Sequence, residues 1–205
     1  MQSLLPILAF AFATSITPGP NNTLVMMTAA NWGFRASLPV FGGVVTGFLL
    51  MVFAVGLGLG EVFAAWPVLH VILKWACFAW LLVLAFKIAR AGKPDIADPG
   101  TEEAERARPL TFLQLVAFQW INPKAWLMAI GAIALFVPVG LNGSDSLIPV
   151  SRVLLGFIVA GAPCVLAWGL FSLAIARFLT SPARVRVFNV TMAVLLVLSM
   201  VPTLF

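Results

Sequence analysis

Six long apolar runs divide this chain, and they limit what it can fold into more than any other feature. A helix needs about 20 apolar residues to cross the hydrocarbon core of a bilayer, and each run has about that length or more. Only 9% of the residues are charged, against about 25% in ordinary soluble domains. The runs predict six transmembrane helices at residues 4–30, 38–59, 68–86, 110–137, 153–176 and 187–205. We therefore expect an all-α membrane protein with a single transmembrane domain over residues 1–205.

The positions of lysine and arginine predict how these helices are oriented, because short basic loops stay in the cytoplasm. The loops after the first, third and fifth runs contain Arg35, five basic residues within 87–108 and three within 177–186. Only Lys74 and Arg152 fall on the opposite side. We expect a bacterial inner-membrane protein with both termini in the periplasm. Residues 91–109 then form a cytoplasmic linker between repeat one, residues 1–90, and repeat two, residues 110–205.

The net charge of +5 and the two cysteines narrow the expected partners. The basic residues lie in short runs between apolar segments and form no nucleic-acid-binding motif, so the anionic lipid surface is their expected partner. Cys77 and Cys164 stand alone in apolar runs, without histidines at metal-ligand spacing, and are interpreted as packing residues. We expect no nucleic acid, no cofactor and no metal.

The first and fourth runs differ from the others because helix-breaking residues interrupt each about halfway. The interruptions are Thr17-Pro18-Gly19-Pro20 and Asn122-Pro123. Proline removes a backbone donor and clashes with the preceding turn, and glycine adds a further penalty. Helices 1 and 4 are therefore predicted to be broken at the midplane. Either break alone is about equally compatible with a packing kink, but two breaks at equivalent depths favour a binding role.

The two breaks also align when the halves are superposed. Ile16-Thr17-Pro18 corresponds to Ile121-Asn122-Pro123, and the pair Gly43 and Gly47 loosely matches Gly156 and Gly161. Three helices per half require the second half to enter the membrane in the opposite direction. The prediction is a 3+3 inverted repeat with substrate between the broken helices.

The half-helix ends at the breaks suit both ends of a zwitterion. The starts of the second half-helices, at Asn21-Asn22 and Lys124-Ala125, present amides and a positive dipole end to a carboxylate, with Lys124 as countercharge. The ends of the first half-helices, around Ile16 to Thr17 and Ile121 to Asn122, are expected to offer carbonyls to an ammonium group. An ionisable group as deep as Lys124 is costly and by default functional. The candidate substrate-binding residues are Thr17, Pro18, Gly19, Pro20, Asn21, Asn22, Asn122, Pro123 and Lys124.

Other conspicuous residues are interpreted as structural. Gly43 and Gly47 form a small-xxx-small pattern that predicts close helix packing. Trp120 and Trp126 flank the second break, and packing is preferred to cavity lining as the interpretation of both residues. His70 is interpreted as an interfacial residue in preference to a proton relay.

These elements resemble the LysE/RhtB amino-acid exporters over essentially the whole chain. The resemblance lies in the run Thr17 to Asn22, in Gly33-Phe34-Arg35 with the following glycine pair, and in Asn122-Pro123-Lys124-Ala125. It implies efflux of amino acids or close derivatives, coupled to the proton gradient. The run from Pro18 to Arg35 most resembles the cysteine and O-acetylserine branch, while related branches handle homoserine, threonine, leucine, arginine or lysine.

All seven acidic residues fall outside the six runs, which favours a neutral amino acid over a cationic substrate or a metal ion. Three alternatives remain open at this stage: a structural or assembly subunit without its own substrate pathway, an exporter of other small solutes or ions, and a membrane enzyme or redox conduit. An enzyme would need a nucleophile-base pair, a metal cluster or paired cysteines, so no catalytic residues are expected. The oligomeric state, including a homo-oligomer, is left open.

Overall fold

The computed structural model describes residues 3–59, 67–90, 109–138, 141 and 144–198. All regular elements within these ranges are helical. The predicted linker lies outside the described residues, apart from Pro109. The α-helices are α1 Leu4–Ile16, α2 Pro20–Trp32, α3 Phe34–Ala54, α4 Pro67–Arg90, α5 Phe112–Ile121, α6 Pro123–Phe136, α7 Ser144–Gly156, α8 Ala162–Ala176 and α9 Pro182–Leu198. Residues Val55–Leu59 follow α3 and include a kink at Gly58, whose φ is 110°, and a π-helical turn, Phe157–Gly161, joins α7 to α8.

The helix bounds at the two proline motifs follow from simple backbone rules. Helix α1 ends at Ile16 and α2 begins at Pro20, while α5 ends at Ile121 and α6 begins at Pro123. Proline suits the first position of a helix, where its missing N–H costs nothing and its fixed φ is already helical. Each motif therefore both ends one helix and starts the next.

Within the described residues, two helical segments are long and apolar enough to cross a membrane by length and composition: Phe34–Leu59 and Asp145–Ile175. Helices α1, α5 and α6 are apolar but shorter. Large apolar side chains are widely exposed, among them Leu5, Leu113 and Phe178, each at least 70% exposed. Soluble monomers rarely expose so much contiguous apolar surface.

The glycines of α3 allow a very close approach to α5. A methyl group added at Gly43 would overlap the carbonyl oxygen of Phe112, and one added at Gly47 would lie 2.7 Å from the Cα atom of Val116. The predicted packing role of this pair is confirmed. In the second half, a methyl group at Gly156 would overlap the side chain of Ile7 in α1.

Replacing Gly47 by alanine should therefore destabilise the protein. The added methyl group meets backbone atoms that cannot rotate away, so overpacking is expected to cost about 1–3 kcal/mol. Gly42→Ala is the matched control, because its methyl group would only reach ordinary contact with the Phe112 ring at 3.6 Å. Thermal unfolding of the two purified variants checks this, and equal unfolding temperatures would contradict the packing argument.

The buried side chains form two clusters with the proline motifs between them. One cluster includes Leu24, Val44 and Val165, and the other includes Phe48, Ala125 and Phe157. Helix α2 packs against α8, α3 against α5, and α4 against α9. This arrangement brings the chain between α1 and α2 next to the start of α6.

Candidate functional site

The end of α1 has an unusual set of hydrogen-bond acceptors, because the helix ends at Ile16 and α2 does not begin until Pro20. The carbonyls at its last turn lack helical partners and must find other donors. In the structure each carbonyl from residue 14 to residue 18 accepts a hydrogen bond from a side chain. The next carbonyl, of Gly19, accepts from the backbone N–H of Thr23 in α2.

Lys124 supplies three of these hydrogen bonds from the start of α6. Its Nζ atom donates to the Thr17 carbonyl at 3.0 Å, to the Thr17 hydroxyl at 2.8 Å and to the Pro18 carbonyl at 3.0 Å. An ammonium group has three N–H donors, so this arrangement uses all of them. All three acceptors are uncharged oxygens.

Side chains from two other elements satisfy the remaining carbonyls. Asn22, which is 3% exposed, donates to the Ser15 carbonyl at 2.8 Å and to the Thr17 carbonyl at 2.9 Å. Trp168 of α8 donates its indole N–H to the Ile16 carbonyl at 3.1 Å. The carbonyls between α1 and α2 thus accept from donors that are distant in sequence as well as from local ones.

A cluster of three amide side chains connects the two proline motifs. Asn21 and Gln119 exchange two hydrogen bonds, at 2.9 and 3.0 Å. Asn122 donates to the Asn21 oxygen at 3.2 Å and accepts from the backbone N–H of Lys124 at 3.2 Å. Gln119 and Asn122 are almost fully buried. The cluster fixes the start of α6 relative to the start of α2.

A cavity of about 50 Å³ lies beside these groups. At about 15 Å³ of such volume for each water molecule, this is room for roughly three water molecules. Polar groups line it on the side of the proline motifs, and apolar side chains line the rest. The polar lining comes from Thr14, Ser15, Gly19, Asn21, Asn22, Asn122 and Lys124. The apolar lining includes Phe48, Met128, Phe157 and Val165.

The sequence that forms this site is similar to those of known proteins. The family model for the LysE type translocator matches residues 12–200. The chain belongs to the LysE type translocator family. It is 32% identical over 201 residues to a cysteine/O-acetylserine efflux protein of Salmonella choleraesuis, covering 95% of this chain and 96% of that protein. It is 34% identical over 140 residues to the protein of that name from Shigella flexneri, covering 65% of this chain and 68% of that protein. No solved structure matches significantly.

The structure brings most of the candidate residues of this translocator together. Those that line the cavity are Gly19, Pro20, Asn21, Asn22, Asn122 and Lys124. Thr17 and Pro18 lie at its edge and contact Lys124 through their oxygen atoms. Pro123 is buried as the first residue of α6. That these residues bind substrate remains a prediction.

Three features of the site were missed by sequence reasoning. Gln119 had an available signal, since a polar side chain in an apolar run needs a partner. Trp168 had no such signal, because nothing in the sequence around it indicates a contact with Ile16. The π-helical turn, which places Phe157 and Gly161 in the cavity wall, also escaped prediction.

The residues interpreted as structural can also be located. Trp120 and Trp126 stack edge to face at 6.0 Å, the Trp126 indole donates to the Trp120 carbonyl, and neither lines the cavity. Cys164 is buried and its thiol donates to the Ala160 carbonyl at 3.1 Å. Both observations agree with packing roles. The side chains of His70 and Cys77 lie outside the described part of the structure.

Proposed function

We propose that this translocator exports small neutral amino acids or close derivatives, of the cysteine and O-acetylserine type, from the cytoplasm across a bacterial inner membrane. The observation that carries the proposal is a cavity lined by Lys124 and by two buried asparagines, Asn22 and Asn122, next to the backbone carbonyls that Lys124 contacts. A zwitterion needs a cationic or amide partner for its carboxylate and an array of acceptors for its ammonium group. Family membership and the printed names of the relatives support the same substrate class.

The small apolar remainder of the cavity supports a short side chain. Phe48 and Phe157 pack edge to face at 4.8 Å and close the side away from the polar groups. The absence of acidic residues from the predicted spans argues against lysine or arginine as substrate, since a cationic side chain needs a countercharge in low dielectric.

The architecture proposed for transport is six transmembrane helices in a 3+3 inverted repeat. The pair α1 and α2 forms one broken crossing, and the pair α5 and α6 forms its equivalent. The packing of the glycine pairs supports this. With Ile16 aligned to Ile121, a shift of 105 positions, Ile7 corresponds to Phe112. Gly43 packs on Phe112 and Gly156 packs on Ile7, so each half places a glycine on the equivalent residue of the other.

The π-helical turn at Phe157–Gly161 lies at the glycine pair of the second half. Gly43 and Gly47 are four positions apart, whereas Gly156 and Gly161 are five apart. One extra residue in a helix is what a π turn accommodates, and such turns occur often at functional sites. The second repeat therefore retains the paired glycine packing despite an insertion.

Coupling to protons is proposed to act through Lys124. It is the ionisable residue of the cavity lining, and its amine faces the place where both ends of the substrate are expected. In the proposed cycle the Lys124 ammonium group releases its proton to the cytoplasm as substrate binds, and the amine takes up a proton from the periplasm as substrate leaves. An inward proton gradient would thereby drive outward transport.

Counterflow in proteoliposomes tests the function directly. The panel is labelled cysteine, O-acetylserine, homoserine, threonine, leucine and lysine, with N-acetylcysteine as a matched compound that lacks the ammonium group. We expect enrichment of cysteine or O-acetylserine and none of lysine or N-acetylcysteine. If no amino acid accumulates with correctly inserted protein, the chain is better described as a structural subunit.

The orientation is tested by reporter fusions. A reporter at the C-terminus should be active in the periplasm, and one inserted between residues 93 and 108 should behave as cytoplasmic, because of the distribution of lysine and arginine. If the linker and the C-terminus were both cytoplasmic, the second half would have an even number of crossings and the inverted repeat would be excluded.

A further inference from the structure

The three oxygen atoms that surround the Lys124 ammonium group form a compact acceptor site, which we call the cradle. It consists of the Thr17 carbonyl, the Thr17 hydroxyl and the Pro18 carbonyl. The distances to Nζ are 2.8 to 3.0 Å, which is the range of charge-assisted hydrogen bonds. The Thr17 hydroxyl donates to the Thr14 carbonyl at 2.9 Å, so its lone pairs face the ammonium group.

The cradle is chemically a site for a primary ammonium group in general. Its acceptors belong to the chain between α1 and α2, whereas Lys124 reaches them from α6. Nothing in the acceptor set is specific to lysine, because any primary ammonium has the same three donors and the same charge. The cradle contains no carboxylate, so an ammonium group in it keeps its charge available to a carboxylate nearby.

Gly19 makes room for the lysine. A methyl group added at Gly19 would lie 2.8 Å from Nζ and 2.9 Å from the Cδ atom of Lys124. The φ angle of Gly19 is −176°, an extended conformation open to any residue. The requirement for glycine here is therefore one of space for the lysine side chain, which runs from the cavity to the cradle.

We propose that the cradle is the ammonium-binding site for the substrate, and that Lys124 fills it as an internal ligand until the substrate's own ammonium group displaces it. This rests on the proposed function for the identity of the substrate. Displacement breaks the Lys124 hydrogen bonds between α6 and the chain before α2, while the amide cluster of Asn21, Gln119 and Asn122 continues to connect the two proline motifs. Lys124 then remains at the cavity, where the substrate carboxylate is expected.

The test uses the full-length purified protein in lipid nanodiscs with ethylammonium chloride as the probe. An internal ligand competes at a high effective concentration, so the wild-type protein should respond weakly. In Lys124→Ala the cradle no longer holds the lysine. The ethylammonium concentration that gives half of the maximal rise in unfolding temperature should therefore be lower than in the wild type by about tenfold or more. Tetramethylammonium, which has the charge but no N–H donor, should stabilise neither protein.

Gly19→Ala provides a second variant that retains the lysine and its charge while displacing it from the cradle. It should show the same increase in ethylammonium response, whereas Gly42→Ala should behave as wild type. If neither Lys124→Ala nor Gly19→Ala responds more strongly than wild type, or if tetramethylammonium acts equally well, the cradle is not an ammonium site.

The outcome is separable from that of the proposed function, which wild-type counterflow tests. Amino-acid export without any change in ethylammonium response would refute the cradle alone. A changed ethylammonium response without counterflow of any amino acid would refute the proposed function and retain the cradle.

Discussion

Replacing Lys124 by methionine should reduce cysteine counterflow by about 10–100-fold, the factor expected when a charged hydrogen-bonding partner worth about 1.5–3 kcal/mol is lost. Methionine has a similar length and no charge, so it occupies the volume of the lysine without donating hydrogen bonds. The pH dependence of export should disappear in the same variant, because the proposed proton carrier is gone. Insertion into the membrane should be retained.

Arginine at the same position separates charge from proton exchange. Its guanidinium group stays protonated at all accessible pH values and has a planar fork in place of a compact ammonium. Lys124→Arg should therefore keep part of the counterflow and lose export driven by a pH gradient. Both assays are run on the same proteoliposomes across a pH series. Wild-type counterflow and wild-type pH dependence in Lys124→Met would require the mechanism to be abandoned.

Local backbone chemistry explains why the proline motifs were readable from sequence. A proline cannot continue a helix but can begin one, so Pro20 and Pro123 each indicated where a new helix starts. The glycine pair of α3 was readable for a similar reason, since small residues four positions apart predict close helix packing. These inferences need only the immediate sequence.

The contacts that satisfy the first break could not be predicted in this way. Asn22 was expected to contact substrate, yet its side chain holds the end of α1 through two hydrogen bonds. The carbonyl expected to face the substrate ammonium, that of Thr17, already accepts from Lys124. Such partners depend on how α2, α6 and α8 pack together, which periodicity does not encode. Any bilayer helix that breaks must find donors, but the sequence alone does not say which ones.

The hydrogen-bonded pair Asn21 and Gln119 can be used to measure what buried polar contacts contribute to transport and to stability. We expect Gln119→Leu to lower counterflow much more than it lowers the unfolding temperature. Leucine removes the acceptor of the Asn21 amide N–H at the cavity wall, while the Asn21 oxygen keeps its hydrogen bond from Asn122, and an unsatisfied buried group costs about 1–3 kcal/mol. Asn21 then rotates to find other partners, and the start of α2 is no longer fixed relative to α6.

A double-mutant cycle with Asn21→Leu and Gln119→Leu isolates the interaction. Measured couplings between polar side chains in membrane helices average about 0.6 kcal/mol and reach about 1.7 kcal/mol, and this reciprocal pair should lie at the upper end. The double variant should therefore unfold at a higher temperature than the sum of the single effects implies. Its counterflow should stay low, because restoring packing does not restore the polar wall of the cavity.

Gln114→Leu is the matched control on the same helix. Gln114 is exposed and caps the start of α5 with Thr111, through hydrogen bonds of 2.9 and 3.3 Å, and it does not line the cavity. Gln114→Leu loses the bond from the Thr111 backbone N–H but keeps the Thr111 hydroxyl cap, so it should cost about 0.5–1.5 kcal/mol of stability and leave counterflow close to wild type. Comparing Gln119→Leu with Gln114→Leu therefore separates an effect on stability from an effect on transport. If Gln119→Leu loses counterflow only in proportion to its loss of stability, as Gln114→Leu would, the amide cluster is a packing element and has no part in positioning the site.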